Sequence, residues 1–264
     1  MRTADGQPIR TLSVLLWIYS AAVLLFLIGP IIIVGLLSFS SADTLMFPPP
    51  GFSMRWYERL WSLPSWIASL RTSLTLALST TVLTTILALL ASLALVRGRF
   101  RGKSFVYALI FSPMIVPTII TAVALYLFFV DLGASGSIVA MALGHTVLAL
   151  PVAVMVICAS LQSVDLRLEM AAYSLGASRF TTFRRITLPL IFPAALTAAL
   201  FSFLTSFDEL LIPLFLGGVG TETLSVKIWN SLLLEVDPMI AAVSTLFVLV
   251  TASILILAGL LRRR

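Results

Sequence analysis

SVDLRLEMAAYSLGASRFTTFRRITLP, residues 163–189, is a charged stretch between two segments that are each long and apolar enough to cross a bilayer. Leu166, Met170 and Tyr173 recur at i, i+4 and i+7, which puts them on one face of a helix. Ser163 or Asp165 can cap its start. Ala171 and Ala172 add helix propensity with little bulk, so a neighbouring backbone or side chain can approach closely. Gly176 can end the helix in a left-handed conformation without a Cβ clash. A second short helix fits Ser178–Thr187, with Ser178 as N-cap and Phe180, Phe183 and Ile186 at spacings of three, and Pro189 suits the first turn of the helix that follows. Two short helices joined at a glycine make a rigid projecting element, able to pass force from a soluble partner into the next span. An interfacial helix that merely covers a bundle would show the same amphipathicity, so periodicity alone leaves both readings open.

Outward from this stretch the chain is strongly apolar. Of its 264 residues 60% are hydrophobic and 11% charged, with a mean hydropathy of +1.11, whereas soluble domains carry roughly 25% charged residues. An all-α integral membrane protein follows. Six segments reach the roughly 20 apolar residues that a spanning helix needs: approximately 13–38, 72–96, 104–130, 137–161, 190–216 and 240–261. Arg2 and Arg10 precede the first, as in a signal peptide, but its apolar run far exceeds the roughly 7–15 residues of a signal core, so it reads as an uncleaved anchor. No connection is long or polar enough to separate two cores, so residues 1–264 read as one helical domain containing the 163–189 loop.

Charge sets the expected orientation. Thirteen Lys and Arg fall on the side that holds both termini, the 97–103 connection and the 163–189 loop, while Arg55, Arg59, Arg71 and Lys227 make four on the other. The positive-inside rule places both termini and the loop in the cytoplasm of a multi-pass inner-membrane protein. The outer loops then carry Asp43, Glu58, Asp131, Glu222, Glu235 and Asp237. The net charge of +6 is not the mark of a nucleic-acid partner, because the basic residues sit in short clusters beside apolar runs. Cys158 is the only cysteine, which rules out an intrachain disulfide, and a single histidine offers no set of metal ligands. The G-x4-G-K-[ST] phosphate loop does not occur, so the chain cannot supply a nucleotide site, and no cofactor is expected.

Two further places stand out. In the first outer loop Phe47-Pro48-Pro49-Pro50-Gly51-Phe52 favours extended backbone, and the aromatic run Met54 to Trp61 suits a short helix at the lipid interface or, alternatively, a contact with an external protein. Pro113, Pro117, Pro151, Pro193 and Pro213 interrupt the spans; each can bend its helix, and a freed carbonyl in a bilayer needs a protein or water partner, so these prolines are expected to face protein. Within the fifth segment lies Ser202-Phe203-Leu204-Thr205-Ser206-Phe207-Asp208-Glu209. A carboxylate near the centre of a spanning helix costs on the order of 3 kcal/mol, so Asp208 and Glu209 need a cavity, a partner or an interfacial position. On a continuous helix they point about 100° apart. Asp208 reads either as a pathway or gate carboxylate pairing with a cation, such as Lys227 or the substrate, or as a packing hydrogen bond. Lys227 reads as the other half of that gate or as a snorkelling interfacial residue, and His145 as a structural hydrogen-bonding residue.

The loop resembles the E-A-A-x3-G-x9-I-x-L-P loop of the membrane permease subunits of bacterial ABC importers. Ala171, Ala172, Gly176, Ile186, Leu188 and Pro189 fall in register; Met170 holds the family's glutamate position, with Glu169 one residue earlier. SFDE, a glycine-rich turn at 217–220, TLSVKIW at 223–229, LGHTVLALP around His145 and FPPPGFSMRWYERL at 47–60 together resemble the polyamine branch, the relatives of spermidine and putrescine importers. The resemblance implies a type I importer permease with six transmembrane helices and cytoplasmic coupling helices. It implies two ATP-hydrolysing partner subunits docking on the 163–189 element, a second permease that is a different chain, and an external substrate-binding protein. The chain itself is then no enzyme. The implied cargo is a polyamine or related small organic cation, with iron, thiamine or an amino-acid-like compound as alternatives. An integral-membrane enzyme lacks a catalytic constellation here, and a secondary transporter gives no reason for the glycine-to-Ile-x-Leu-Pro spacing.

Overall fold

The computed structural model describes residues 10–234 and 237–261. Arg2, Glu235 and Arg262 to Arg264, which entered the charge reading, lie outside the described residues. Among those described the chain is helical almost throughout: α1 (Arg10–Leu37), α2 (Arg55–Ser62), α3 (Pro64–Arg97), α4 (Lys103–Phe111), α5 (Thr118–Asp131), α6 (Ile138–Ser163), α7 (Leu166–Ser174), α8 (Arg179–Thr182), α9 (Leu188–Asp208), α10 (Leu211–Leu216), α11 (Leu224–Leu234) and α12 (Met239–Leu261). Four helical stretches among the described residues are long and apolar enough to cross a membrane, Ser13–Leu37, Pro64–Arg97, Ile138–Ser163 and Arg179–Asp208, or five if the bent pair α4 and α5 is one span. α12, 23 residues without a charged side chain, is the sixth apolar segment. The chain is a multi-pass, all-α membrane protein, with two of the expected spans broken.

Chemistry explains both breaks. Between α4 and α5 the direction turns by 105° across a short 3-10 turn, Ser112–Met114. Pro113 has no N–H for the carbonyl of Leu109, and the Ser112 hydroxyl donates to that carbonyl instead, at 2.9 Å. Pro117 disfavours helical backbone at the residue before it, has a ψ of 132° itself, and α5 starts directly after. The second break splits the expected 190–216 span: α9 stops at Asp208 and α10 begins at Leu211. A continuous helix would place Pro213 where it must bond the carbonyl of Glu209, which it cannot. Restarting the helix puts Pro213 in a first turn, where no N–H is needed. Pro151 and Pro213 are buried as expected of prolines facing protein, Pro113 is half-buried, and Pro117 and Pro193 are exposed on this chain.

The described residues fall into two compact units. One comprises 63–230 and 250–261, the other 10–62, 231–234 and 237–249. In the larger unit α3, α6 and α9 pack pairwise as a three-helix core. α3 contributes a seam of small and hydroxyl side chains, Ser69, Ser73, Ala77, Thr80, Thr84, Ala88 and Ser92, all buried and spaced by about one turn. Between apolar lipid tails there is no hydrophobic force to drive helices together, so small residues that admit close backbone approach, and hydroxyls that bond across, hold such a core. Ser92 Oγ reaches the carbonyl of Val154 on α6 at 3.3 Å, and His145 Nδ1 on α6 lies 2.7 Å from Ser206 Oγ on α9. At the opposite end of α3 a second cluster, including Leu76, Ala122, Phe129, Met141, Ile212 and Leu216, seats α5 and α10 against α6.

In the smaller unit the proline-rich loop folds back on α2. Trp56 Nε1 donates to the carbonyl of Ser40 at 2.8 Å, Tyr57 bonds Ser38, and Arg55 pairs with Asp43 at 2.9 Å while stacking on Trp56. The short aromatic helix expected after the prolines is therefore present, with Trp56 and Leu60 turned inward.

Candidate functional site

The 163–189 element starts as expected. Asp165 caps α7, its carboxylate accepting from the N–H of Arg167 at 2.9 Å, while Ser163 donates to the carbonyl of Ser160 at the end of α6. Gly176 adopts φ +82°, and the N–H groups of Gly176 and Ala177 return to the carbonyls of Tyr173 and Ala172, both at 3.0 Å. These paired bonds close the helix end in the manner that a glycine permits. Ser178 then accepts from the N–H of Thr181 at 3.2 Å.

From there the expected arrangement needs correction. Ser178–Thr187 is not a separate helix: α8 is four residues long and passes through a widened turn, Phe183–Thr187, straight into α9. The widened turn carries an i to i−5 bond from Leu188 N–H to the Phe183 carbonyl just ahead of Pro189. Such a bulge lets a proline enter an otherwise continuous helix. The second arm of the element is thus the end of a single 30-residue rod, Arg179–Asp208.

Burial decides which way α7 faces. Leu166, Met170 and Tyr173 lie on the outer face together with Leu175 and Phe180, the last two 88% and 72% exposed. Glu169 and Ala172 face inward and are buried, so the smallness of Ala172 serves contact within the chain. Ala171, Gly176 and Pro189 are exposed, and Ile186 and Leu188 half-buried. Inside the loop Glu169 Oε1 accepts from Arg97 Nε at 3.2 Å, from Arg97 Nη2 at 3.0 Å and from Thr187 Oγ1 at 3.2 Å; Arg97 Nη2 also reaches the carbonyl of Val164 at 3.4 Å. The loop thus carries exposed apolar side chains on its outer face and a buried ion pair on its inner one.

The second site lies at the break between α9 and α10. Asp208 and Glu209 do not occupy successive positions of one helix. Glu209 has extended backbone, and its Oε1 accepts from the N–H of Leu211 at 2.8 Å and of Ile212 at 3.3 Å, which caps α10. Asp208, the last residue of α9, is exposed and makes no side-chain hydrogen bond or ion pair among the described residues. Ser225 of α11 donates to the carbonyl of Phe207 at 3.3 Å, bringing the first turn of α11 to this break. Lys227 pairs with Glu222, Nζ to Oε2 3.2 Å; Asn230 holds the other oxygen of Glu222 at 3.0 Å, and Lys227 Nζ lies 6.0 Å from the ring of Trp66.

Residues 84–264 match the family described as binding-protein-dependent transport system inner membrane component. The chain belongs to this family. It is 35% identical over 239 residues to the spermidine/putrescine transport system permease protein PotC of Haemophilus influenzae, a match covering 90% of this chain and 93% of that one. In fold it is similar to a bacterial ABC transporter involved in the import of the acidic polysaccharide alginate, with a TM-score of 0.76 at 16% identity over 100% of this chain and 98% of that one. A bacterial alginate ABC transporter in complex with a pentasaccharide-bound periplasmic protein gives 0.70 at 18% identity, covering 96% and 94%.

As a binding-protein-dependent permease, the chain is a membrane subunit of an ABC importer and not an enzyme; ATP hydrolysis belongs to a separate ATPase, and a substrate-binding protein works with the permease. Several side chains that organise its two sites went unread in the sequence. Arg97 was only one of four basic residues in a connection, Thr187 the unspecified position within Ile-x-Leu-Pro, and Glu222 a loop acid.

Proposed function

We propose that this permease is one half of a two-permease channel, joined by a second, different permease, two ATP-hydrolysing subunits and an external solute-binding protein. The observation that carries this is the outward face of α7 and its glycine junction. Leu166, Met170, Tyr173, Leu175 and Phe180 are exposed on a loop whose caps, closing bonds and buried ion pair fix its shape. On the charge reading, the loop and both termini are cytoplasmic, where an ATPase is available. Closure of the ATPase pair on ATP would push this element and, through the continuous rod into α9, rock the core between outward and inward openings.

The cargo we propose is a polyamine or a related small organic cation. Asp208 supports it: a carboxylate at the break in α9, unpaired among the described residues and able to meet an ammonium group in transit. The polyamine permease to which the chain is similar supports it from the side of sequence. Glu209 serves the same break by capping α10, and Lys227 is held by Glu222 near the start of α11. Reconstitution of the four-part complex in liposomes, with ATP-dependent uptake of labelled spermidine measured beside thiamine and ferric ion, tests the reading. Uptake of spermidine alone is expected; uptake of thiamine or iron with none of spermidine would reassign the cargo.

A further inference from the structure

The loop is not only placed for a partner; it is bolted to the core at one atom. Glu169 Oε1 receives both Arg97, the last residue of α3, and Thr187, the last residue of the widened turn that leads into α9. Through its second contact Arg97 also holds the carbonyl of Val164, which ends α6. The three elements gathered at Glu169 and Arg97 are therefore the ends of α3, α6 and α9, the helices that make up the core. The cluster is largely withdrawn from solvent, with the Arg97 and Glu169 side chains 20% and 11% exposed and Thr187 buried. The pair is a charge-assisted contact withdrawn from screening by solvent, and the oxygen that Arg97 holds also accepts from Thr187.

We propose that Arg97, Glu169 and Thr187 form the rigid linkage through which displacement of α7 is delivered to the three core helices together. The proposal rests on the reading that the outward face of α7 receives the ATPase, and it adds how that contact reaches the transport pathway. Without the linkage α7 would remain tied to the core by the short connections at Val164 and at Ala177 to Ser178, and a push on it would be absorbed by rotation of a nine-residue helix. The linkage also gives Glu169 a role of its own. An acid at position 170 would point to the partner, whereas the acid at 169 points to the chain's own α3. Arg97, Glu169 and Thr187 are positioning residues, each acting through the helix ends it ties together.

The test uses the complete complex in liposomes and two separate readouts, retention of the ATPase on the purified permease and the number of solute molecules imported per ATP hydrolysed. Glu169→Gln and Arg97→Met should keep the ATPase bound, because the outward face is intact, while import per ATP falls about fivefold or more, the lower range of a coupling between sites. The double variant should be no worse than either single one. Thr187→Val should reduce the ratio and Thr187→Ser should preserve it, which separates the hydroxyl from packing bulk. Unchanged import per ATP in all four single variants, with the ATPase retained, would overturn the linkage and leave the docking reading standing. Loss of the docking reading would show differently, as an ATPase that stays bound when Leu175 and Phe180 are both changed to Asp. Should the two charge variants not assemble, the Thr187 pair decides: equal ratios for Val and Ser overturn the proposal.

Discussion

Replacing Gly176 isolates the backbone term at the junction of the coupling element. Gly176 has φ +82°, and a Cβ built there meets no atom within 4 Å. Alanine at this position therefore suffers no collision, and its whole effect is the strain of a left-handed conformation, about 1–2 kcal/mol for an L-residue. That corresponds to a rise of roughly five- to thirtyfold in the open fraction of the junction. Asparagine, which tolerates the left-handed region, should open it less, and valine, branched at Cβ, more. Hydrogen exchange reads this directly. The amides of residues 176 and 177 are the two donors that close α7 onto Tyr173 and Ala172, so their exchange in the native permease should accelerate in the order Gly, Asn, Ala, Val. ATPase affinity should weaken in the same order. Exchange rates that are equal across the series, or a valine variant no more open than the asparagine one, would refute the argument that conformation at Gly176 holds the junction.

Other expectations follow from single contacts. Asp208→Asn keeps the shape and removes the charge, so uptake of spermidine should fall about ten- to a hundredfold, the worth of one charge-assisted hydrogen bond, while assembly and basal ATP hydrolysis persist; normal uptake would return Asp208 to a structural role. Gly218→Ala puts a Cβ 2.9 Å from the Cα of Gly136, backbone against backbone, and should lower stability by about 1–3 kcal/mol, visible as a lower unfolding midpoint in detergent. Ser73→Ala removes the acceptor that lies 2.7 Å from the buried N–H of Leu224 at the start of α11, and exchange at that amide should rise in step with a loss of about 1–3 kcal/mol.

The sequence made some parts legible and concealed others for physical reasons. Spanning helices need only length and apolarity, so the segments at α1, α3, α6 and α12 could be read directly. Caps and the glycine junction were legible because Asp165, Gly176 and Ser178 act on backbone groups within three residues of themselves. Glu209 acts locally too, yet the break it caps was hidden, since apolar residues run on both sides of it and hydropathy cannot see a carboxylate that competes for a backbone N–H. Periodicity grouped Leu166, Met170 and Tyr173 correctly but carried no information on whether that face turned in or out. The answer lies in Arg97, 72 residues away from Glu169, and a contact at that separation leaves no mark on local pattern.

On the proposed function, the 163–189 element receives the ATPase while the opposite end of the same unit does not. A photo-crosslinking side chain placed at Leu175, and in a second preparation at Val219, both fully accessible positions on the larger unit, tests it in the assembled complex. Leu175 is predicted to capture the ATPase subunit, and Val219 the substrate-binding protein or nothing. Capture of the ATPase from Val219, with none from Leu175, would contradict both the orientation and the coupling role.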